Sequence, residues 1–214
     1  IIGAFSFYNL GSPFFWCSVL FPAECFPYIV GWLYMLKYVA AGICAYLYIR
    51  RFVENREWAV LGAVLYAFSG FQTTNLMFYH FHDVVAFFPL LLLSIEALAV
   101  DRKKGWLALA VSVNCLVNYY FFCGEIIFLI IYFICRFGIR KTTVKTAALC
   151  CVEGILGIGM AGFLFIPSVL FIRTNPKASL GMLSREHIFY SFSQYLKILG
   201  GILLPAEPMH SQAY

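Results

Sequence analysis

Apolar runs of membrane-spanning length, parted by short polar clusters, set the pattern of this chain. The first clear run is 28–49, interrupted only by Lys37 and closed by Arg50-Arg51. Residues 58–78 form a second run, and 84–100 a third with Pro89 as a kink, followed by Asp101-Arg102-Lys103-Lys104. The run 106–137 exceeds the ~20 residues that one span needs. Asn118-Tyr119-Tyr120 and Gly124-Glu125 interrupt it. This predicts a fourth helix over 106–117 and a fifth over 124–137, both short and meeting near the outer surface. A sixth is expected over 146–172. Residues 1–27 carry Gly11-Ser12-Pro13, Phe21-Pro22 and Pro27 among dense aromatics. They read as an interfacial loop with short helices, because Pro and Gly punctuate too often for one span. Residues 173–214, with Asn175-Pro176, Gly200-Gly201, Pro205 and Pro208, read as a folded loop outside the bilayer.

Composition turns this pattern into a class. The chain is 63% hydrophobic and only 12% charged, where a soluble domain carries about 25% charge. The expected fold is all-α: a polytopic transmembrane bundle of about six membrane helices. It divides into a transmembrane domain, 1–172, and an extracytoplasmic loop segment, 173–214. The chain also reads as a piece of a longer polytopic protein, with no initiator Met and no signal peptide at its start. Lys and Arg alternate along it. Segments 50–58, 101–105 and 136–145 are rich in them, and 1–27 and 78–83 have none. By the positive-inside rule the first group is cytoplasmic. The net charge of +5 is therefore a topology signal, and no nucleic-acid partner is expected. Residues 1–27, 78–83, 118–120 and 173–214 then face one outer compartment and could line one cavity. The cysteines form no CxxC and lie mostly in apolar runs, as small buried hydrophobes do. Cys17 and Cys25 could pair if their loop is extracytoplasmic.

Chemistry concentrates in 71–90. Asn75, His80, His82 and Asp83 fall together there with no Lys or Arg among them. Asp83 stands just before an apolar run, a good N-cap position. It could also serve a site. Lys37 lies nine residues beyond Tyr28, about 14 Å along a helix, where a lone charge costs ~3 kcal/mol or more. It could reach the phosphate of a lipid-linked ligand, or pair with Glu96, about 18 Å below Val84. Glu153 lies nearer the cytoplasmic side and reads as a packing residue. Asn118, Tyr119 and Tyr120 suit sugar recognition, and equally an aromatic belt at a helix break. Glu125 could join the same cavity. Gly157-Ile158-Gly159-Met160-Ala161-Gly162 matches GxGxxG, but without a preceding strand it reads as a close helix-packing surface.

Several of these motifs stand in an order that resembles one family. Tyr8-Asn9-Leu10-Gly11-Ser12-Pro13-Phe14 is followed by Leu36-Lys37, then by Leu65-Tyr66-Ala67-Phe68-Ser69-Gly70. Asn75, Asp83, Phe88-Pro89-Leu90-Leu91 and Asn118-Tyr119-Tyr120-Phe121 complete the series. The chain, to about Pro167, resembles the YfhO family of bacterial membrane proteins. The resemblance implies a GT-C glycosyltransferase architecture in the bacterial cytoplasmic membrane, with its site facing outside. It implies a polyprenyl-phosphate sugar donor and a cell-wall polymer acceptor such as lipoteichoic acid. The family pattern places the main catalytic carboxylate in a first outer loop, ahead of residue 1. Among the residues present, it implies Asp83 with His82 as catalytic candidates. Lys37, Asn75, Asn118, Tyr119 and Tyr120 are the substrate-binding candidates. His80, His82 and Asp83 would be ligands of a divalent cation, Mg²⁺ or Mn²⁺, that stabilises the leaving phosphate. The alternative from another class is a transporter or lipid flippase with Lys37, Glu96 and Glu153 along a path. A non-catalytic membrane scaffold is a third.

Overall fold

The computed structural model describes residues 9–138 and 141–174. The chain divides into two compact units, Ile1–Val169 and Leu170–Tyr214. The architecture below is that of the first. The expected loop segment 173–214 lies, beyond Thr174, outside the described residues. All secondary structure among the described residues is helical. The helices are α1 (Pro13–Val19), a 3₁₀ turn (Ala23–Cys25), α2 (Phe26–Ile49), α3 (Arg56–Ala67) and α4 (Gly70–Thr74). They continue as α5 (Phe81–Ala99), α6 (Trp106–Val117), α7 (Tyr119–Phe137), α8 (Lys141–Met160) and α9 (Gly162–Thr174).

The helical membrane bundle expected from composition is present, with fewer spans than about six. Three described segments are long and apolar enough to cross a bilayer: Ala23–Ile49, Phe81–Ala99 and Tyr119–Phe137. A fourth counts if Val144–Met160 and Gly162–Leu170, bent by 73° at Ala161, form one broken span. The expected second span, 58–78, stops at Ala67. Phe68 caps it, and the chain turns at Ser69 into the short α4, whose polar side chains bond back one turn. Thr74 Oγ1 donates to Gly70 O at 2.7 Å and Asn75 Nδ2 to Phe71 O at 2.8 Å. Such local bonds compete with helix continuation. The fifth helix begins at Tyr119, five residues before its expected start. Asn118 caps it, its Oδ1 accepting from Tyr120 N and Phe121 N at 3.1 and 3.3 Å. Gly124 and Glu125 stay inside the helix.

Helix α5 is the centre of the bundle. Its Leu91, Leu92, Ile95 and Leu98 form one core with Leu107, Val111 and Cys115 of α6, Phe122 and Leu129 of α7, and Ala161. On its other side Ala86 meets Ala41 of α2 and Ala67 of α3, where small side chains let three helices close up. Helix α7 buries only the stripe Phe122, Glu125 and Leu129. It turns Ile127, Ile130, Ile131 and Ile134 outward, as a lipid-facing helix does. The GxGxxG segment packs as expected. A Cβ on Gly157 would stand 2.5 Å from Ala108 O and 2.7 Å from Val111 Cβ, so glycine is what lets α8 lie against α6. Glu153 Oε1 accepts from Gly105 N at 2.9 Å, which ties α8 to the turn before α6.

Candidate functional site

Helix lengths decide what meets at the centre of the bundle. Helix α2 has 24 residues, about 36 Å. Helix α3 runs back beside it for only 12 residues, about 18 Å. The chain then turns through α4 and starts α5 halfway along α2, at the depth of Lys37. The polar knot of 75–83 is therefore lodged inside the bundle.

Lys37 and Asp83 are both fully buried, with Lys37 Nζ 2.7 Å from Asp83 Oδ1. The same ammonium donates to Tyr79 O at 2.7 Å and lies over the Tyr79 ring. Phe14 and Tyr34 rings stand 5.6 and 5.8 Å from it. The Ser12 hydroxyl also faces the Asp83 carboxylate, although neither carboxylate oxygen receives an aligned hydrogen bond. The interaction is thus foremost an ion pair. Breaking such a pair by removing one partner costs ~3–5 kcal/mol.

Two expectations change here. Lys37 pairs with Asp83, not with Glu96, because α5 begins at Phe81 and half a helix below the start of α2. Asp83 is also not an N-cap. His80 holds that position, without a side-chain capping bond, and Asp83 sits in the first turn. Glu96 has its own partners at the opposite end of α5. Its Oε1 accepts from Tyr132 Oη at 2.6 Å and from Arg136 Nε at 3.0 Å. Arg51 Nε stands 3.6 Å from its Oε2, while the Arg51 guanidinium grips Asp101 through 2.7 and 2.8 Å bonds. The three charges of the transporter alternative thus each have a separate partner and do not face one another.

His82 is fully buried beside Asp83. Its Nδ1 is 2.6 Å from Gln72 Oε1 and its Nε2 3.2 Å from Asn75 O. Both are acceptors, and a neutral ring can donate through one nitrogen only. Tyr34 and Tyr38 clamp the ring edge-on at 5.0 and 5.8 Å. Asn75 contributes this backbone carbonyl, while its carboxamide is turned to α4. His80 packs against Phe81 at 4.7 Å. Burial and the nearby Lys37 charge hold its imidazole below the ordinary histidine range.

The expected metal set does not assemble. No group of three His, Cys, Asp or Glu able to hold an ion occurs among the described residues. Both His82 nitrogens and the Asp83 carboxylate are engaged elsewhere, and an ammonium at 2.7 Å occupies the place a cation would take. The residues do not fit a divalent cation.

Three distant segments do converge at this end of α5. A Cβ on Gly11 would overlap the Leu116 carbonyl, so the 11–12 turn lies directly on the end of α6. Phe121, in the first turn of α7, packs on Phe81 at 4.8 Å and Phe71 at 6.3 Å. Asn118 is buried, with its Nδ2 unpartnered. Tyr119 stands against Phe165 at 6.5 Å and Tyr120 is exposed. An apolar cavity of about 700 Å³ opens beside them, lined by Gly11, Pro13, Trp16, Phe87, Leu116 and Phe163, among others. Sequence reasoning did not single out Ser12, Gln72 or Tyr79. The available signal was a polar side chain within an apolar run, as with Lys37.

No solved structure matches the chain. It is 28% identical over 150 residues to "Uncharacterized protein YfhO" of Bacillus subtilis (strain 168), a match covering 67% of this chain. The match covers only 17% of that relative's length. The family model described as "Bacterial membrane protein YfhO" matches residues 1–199. With that match over nearly its whole length, and the helical membrane bundle described above, this chain belongs to the YfhO family of bacterial membrane proteins.

Proposed function

We propose that this chain is one membrane-embedded piece of a glycosyltransferase. The enzyme would move a sugar from a polyprenyl-phosphate donor to an extracytoplasmic cell-wall polymer such as lipoteichoic acid. The observation that carries the reading is a buried ammonium, Lys37, parted by the Phe14 ring from an apolar cavity of about 700 Å³ that Phe87 lines. Ser12 joins them: its neighbours Gly11 and Pro13 line the cavity, and its hydroxyl faces Asp83. An isoprenoid chain needs apolar walls, and its phosphate needs a cation in a low-dielectric setting.

In this reading the donor phosphate draws Lys37 away from Asp83. The acceptor hydroxyl attacks the sugar carbon, the sugar–phosphate oxygen bond breaks, and the leaving phosphate keeps the electron pair beside Lys37. The acceptor's proton passes to a carboxylate. Asp83 is the candidate for that carboxylate among the described residues. His82, held by Gln72, positions the first turn of α5. In this reading Asn118 and Tyr120 would meet the sugar. The basic residues at the opposite end, Arg50, Arg51, Lys103, Lys104 and Arg136, support a site facing outside the cytoplasmic membrane. The separate partnering of Lys37, Glu96 and Glu153 favours this reading over a transporter or flippase.

The test is glycosylation of the wall polymer in cells carrying the complete protein with Asp83→Asn, or with Lys37→Met and Asp83→Leu together. Loss of sugar with normal membrane levels of the protein supports the assignment. Full glycosylation by the uncharged double variant sinks it, since the pair would then be structural only.

A further inference from the structure

A second cavity, of about 460 Å³, runs along α5 from Phe87, which with Val113 it shares with the first cavity, toward the C-terminal end of the helix. Its floor is a row on one face of α5: Phe87, Leu90, Leu93 and Ala97. Leu109 and Val113 of α6 wall one side. The row from Phe87 to Ala97 is about 15 Å long, the depth of one leaflet of a ~30 Å hydrocarbon core. The polar side chains within it are turned to their own helices. Ser94 Oγ donates to Leu91 O at 2.7 Å and Asn114 Nδ2 to Ala110 O at 2.9 Å. Only the Asn114 amide oxygen is left without a partner.

The opening of this groove is charged. Arg51, Asp101, Lys103 and Trp106 rim it. Asp101 offsets one of the two cations through its bonds to Arg51, and Lys103 leaves the rim net positive. Trp106, well exposed at the first residue of α6, is placed as an interfacial anchor. Leu109, about half exposed, leaves the groove open sideways to the bilayer.

We infer that this groove binds an acidic phospholipid, one acyl chain lying along α5 and the phosphate meeting Lys103 beside the Arg51–Asp101 pair. Apolar walls of one-leaflet length ending in a net positive rim match that ligand in both shape and charge. A zwitterionic lipid fits the walls but gains nothing from the rim. A transmembrane helix seated there would have to supply an acidic group opposite Lys103. The charged rim is separate from the Lys37–Asp83 centre, and the inference does not depend on the transferase reading.

The test places the photoreactive residue p-benzoylphenylalanine at position 109 of the complete protein. The protein is reconstituted in nanodiscs of equal phosphatidylglycerol and phosphatidylcholine, and adducts are identified by mass spectrometry. Phosphatidylglycerol adducts are expected to dominate. Lys103→Glu, a surface change, is expected to lower that preference about five-fold or more, the weight of one cation near an anionic lipid. Leu93→Trp, which fills the groove, is expected to suppress both lipid adducts without lowering the thermal midpoint. Equal labelling by the two lipids, or a preference untouched by Lys103→Glu, overturns the inference. So does an adduct to another segment of the protein, which would identify a helix as the occupant.

Discussion

Lys37 and Asp83 show how one buried pair ties chemistry to stability. Each charge is tolerable only because the other is 2.7 Å away. Lys37→Met alone leaves an uncompensated carboxylate and is expected to cost ~3–5 kcal/mol. Lys37→Met with Asp83→Leu is expected to recover most of that loss. Thermal unfolding in detergent measures both, and simple additivity of the single losses would contradict the pairing. His80 sits just outside the α5 span with its imidazole held low by burial and by Lys37. A lowered folded pKa means its contribution is present above the ordinary histidine value of about 6.5. It fades as pH falls through the folded value. The apparent melting temperature is therefore expected to drop as pH falls below that ordinary range, and His80→Asn is expected to flatten the profile. Gly11 acts by absence: a Cβ there overlaps the Leu116 carbonyl. Gly11→Ala is expected to destabilise by ~1–3 kcal/mol and to lower activity with both charges intact.

Among the elements, α3 sets the geometry. Its twelve residues, against twenty-four in α2, bring the chain back only halfway. Residue patterning alone did not show that, because 58–78 is apolar enough to pass for one span. Helix α3 is capped at Phe68, and Thr73, Thr74 and Asn75, bonded back to the Gly70 and Phe71 carbonyls, mark where the following α4 ends. The start of α7 is a matching case. Asn118→Ala removes a cap to two backbone N–H groups and is expected to cost ~1 kcal/mol. Asn118→Ser is expected to restore stability. If Asn118 also meets sugar, the serine variant will be stable and yet poorly active, which separates the two roles. Glu96 draws α2, α5 and α7 together through Arg51, Tyr132 and Arg136. That network was invisible in the sequence because its members are far apart along it.

At the scale of the first unit, the exposed apolar side chains and the basic residues of 50–56, 102–104 and 136 make a single prediction about placement. A cytoplasmic reporter fused after Lys104 is expected to be active, and a periplasmic-type reporter at the same point inactive; the reverse would turn the proposed site inward. Composition and run length already dictated an all-helical membrane bundle, since a chain with so little charge cannot cover a water-facing surface. The order of short motifs already pointed to the family. Pairwise placement was different. Depth counted along each run offered Lys37 either a lipid phosphate or Glu96, whereas the short α3 and the α4 turn lowered α5 until Lys37 met Asp83. An expected ligand trio became a salt bridge, a clamped imidazole and a half-buried His80. Periodicity reports which faces are apolar, but the relative heights of helices follow from where each one stops. Those stops depend on local side-chain bonds and on packing against neighbours, which is why tertiary structure alone decided the partners.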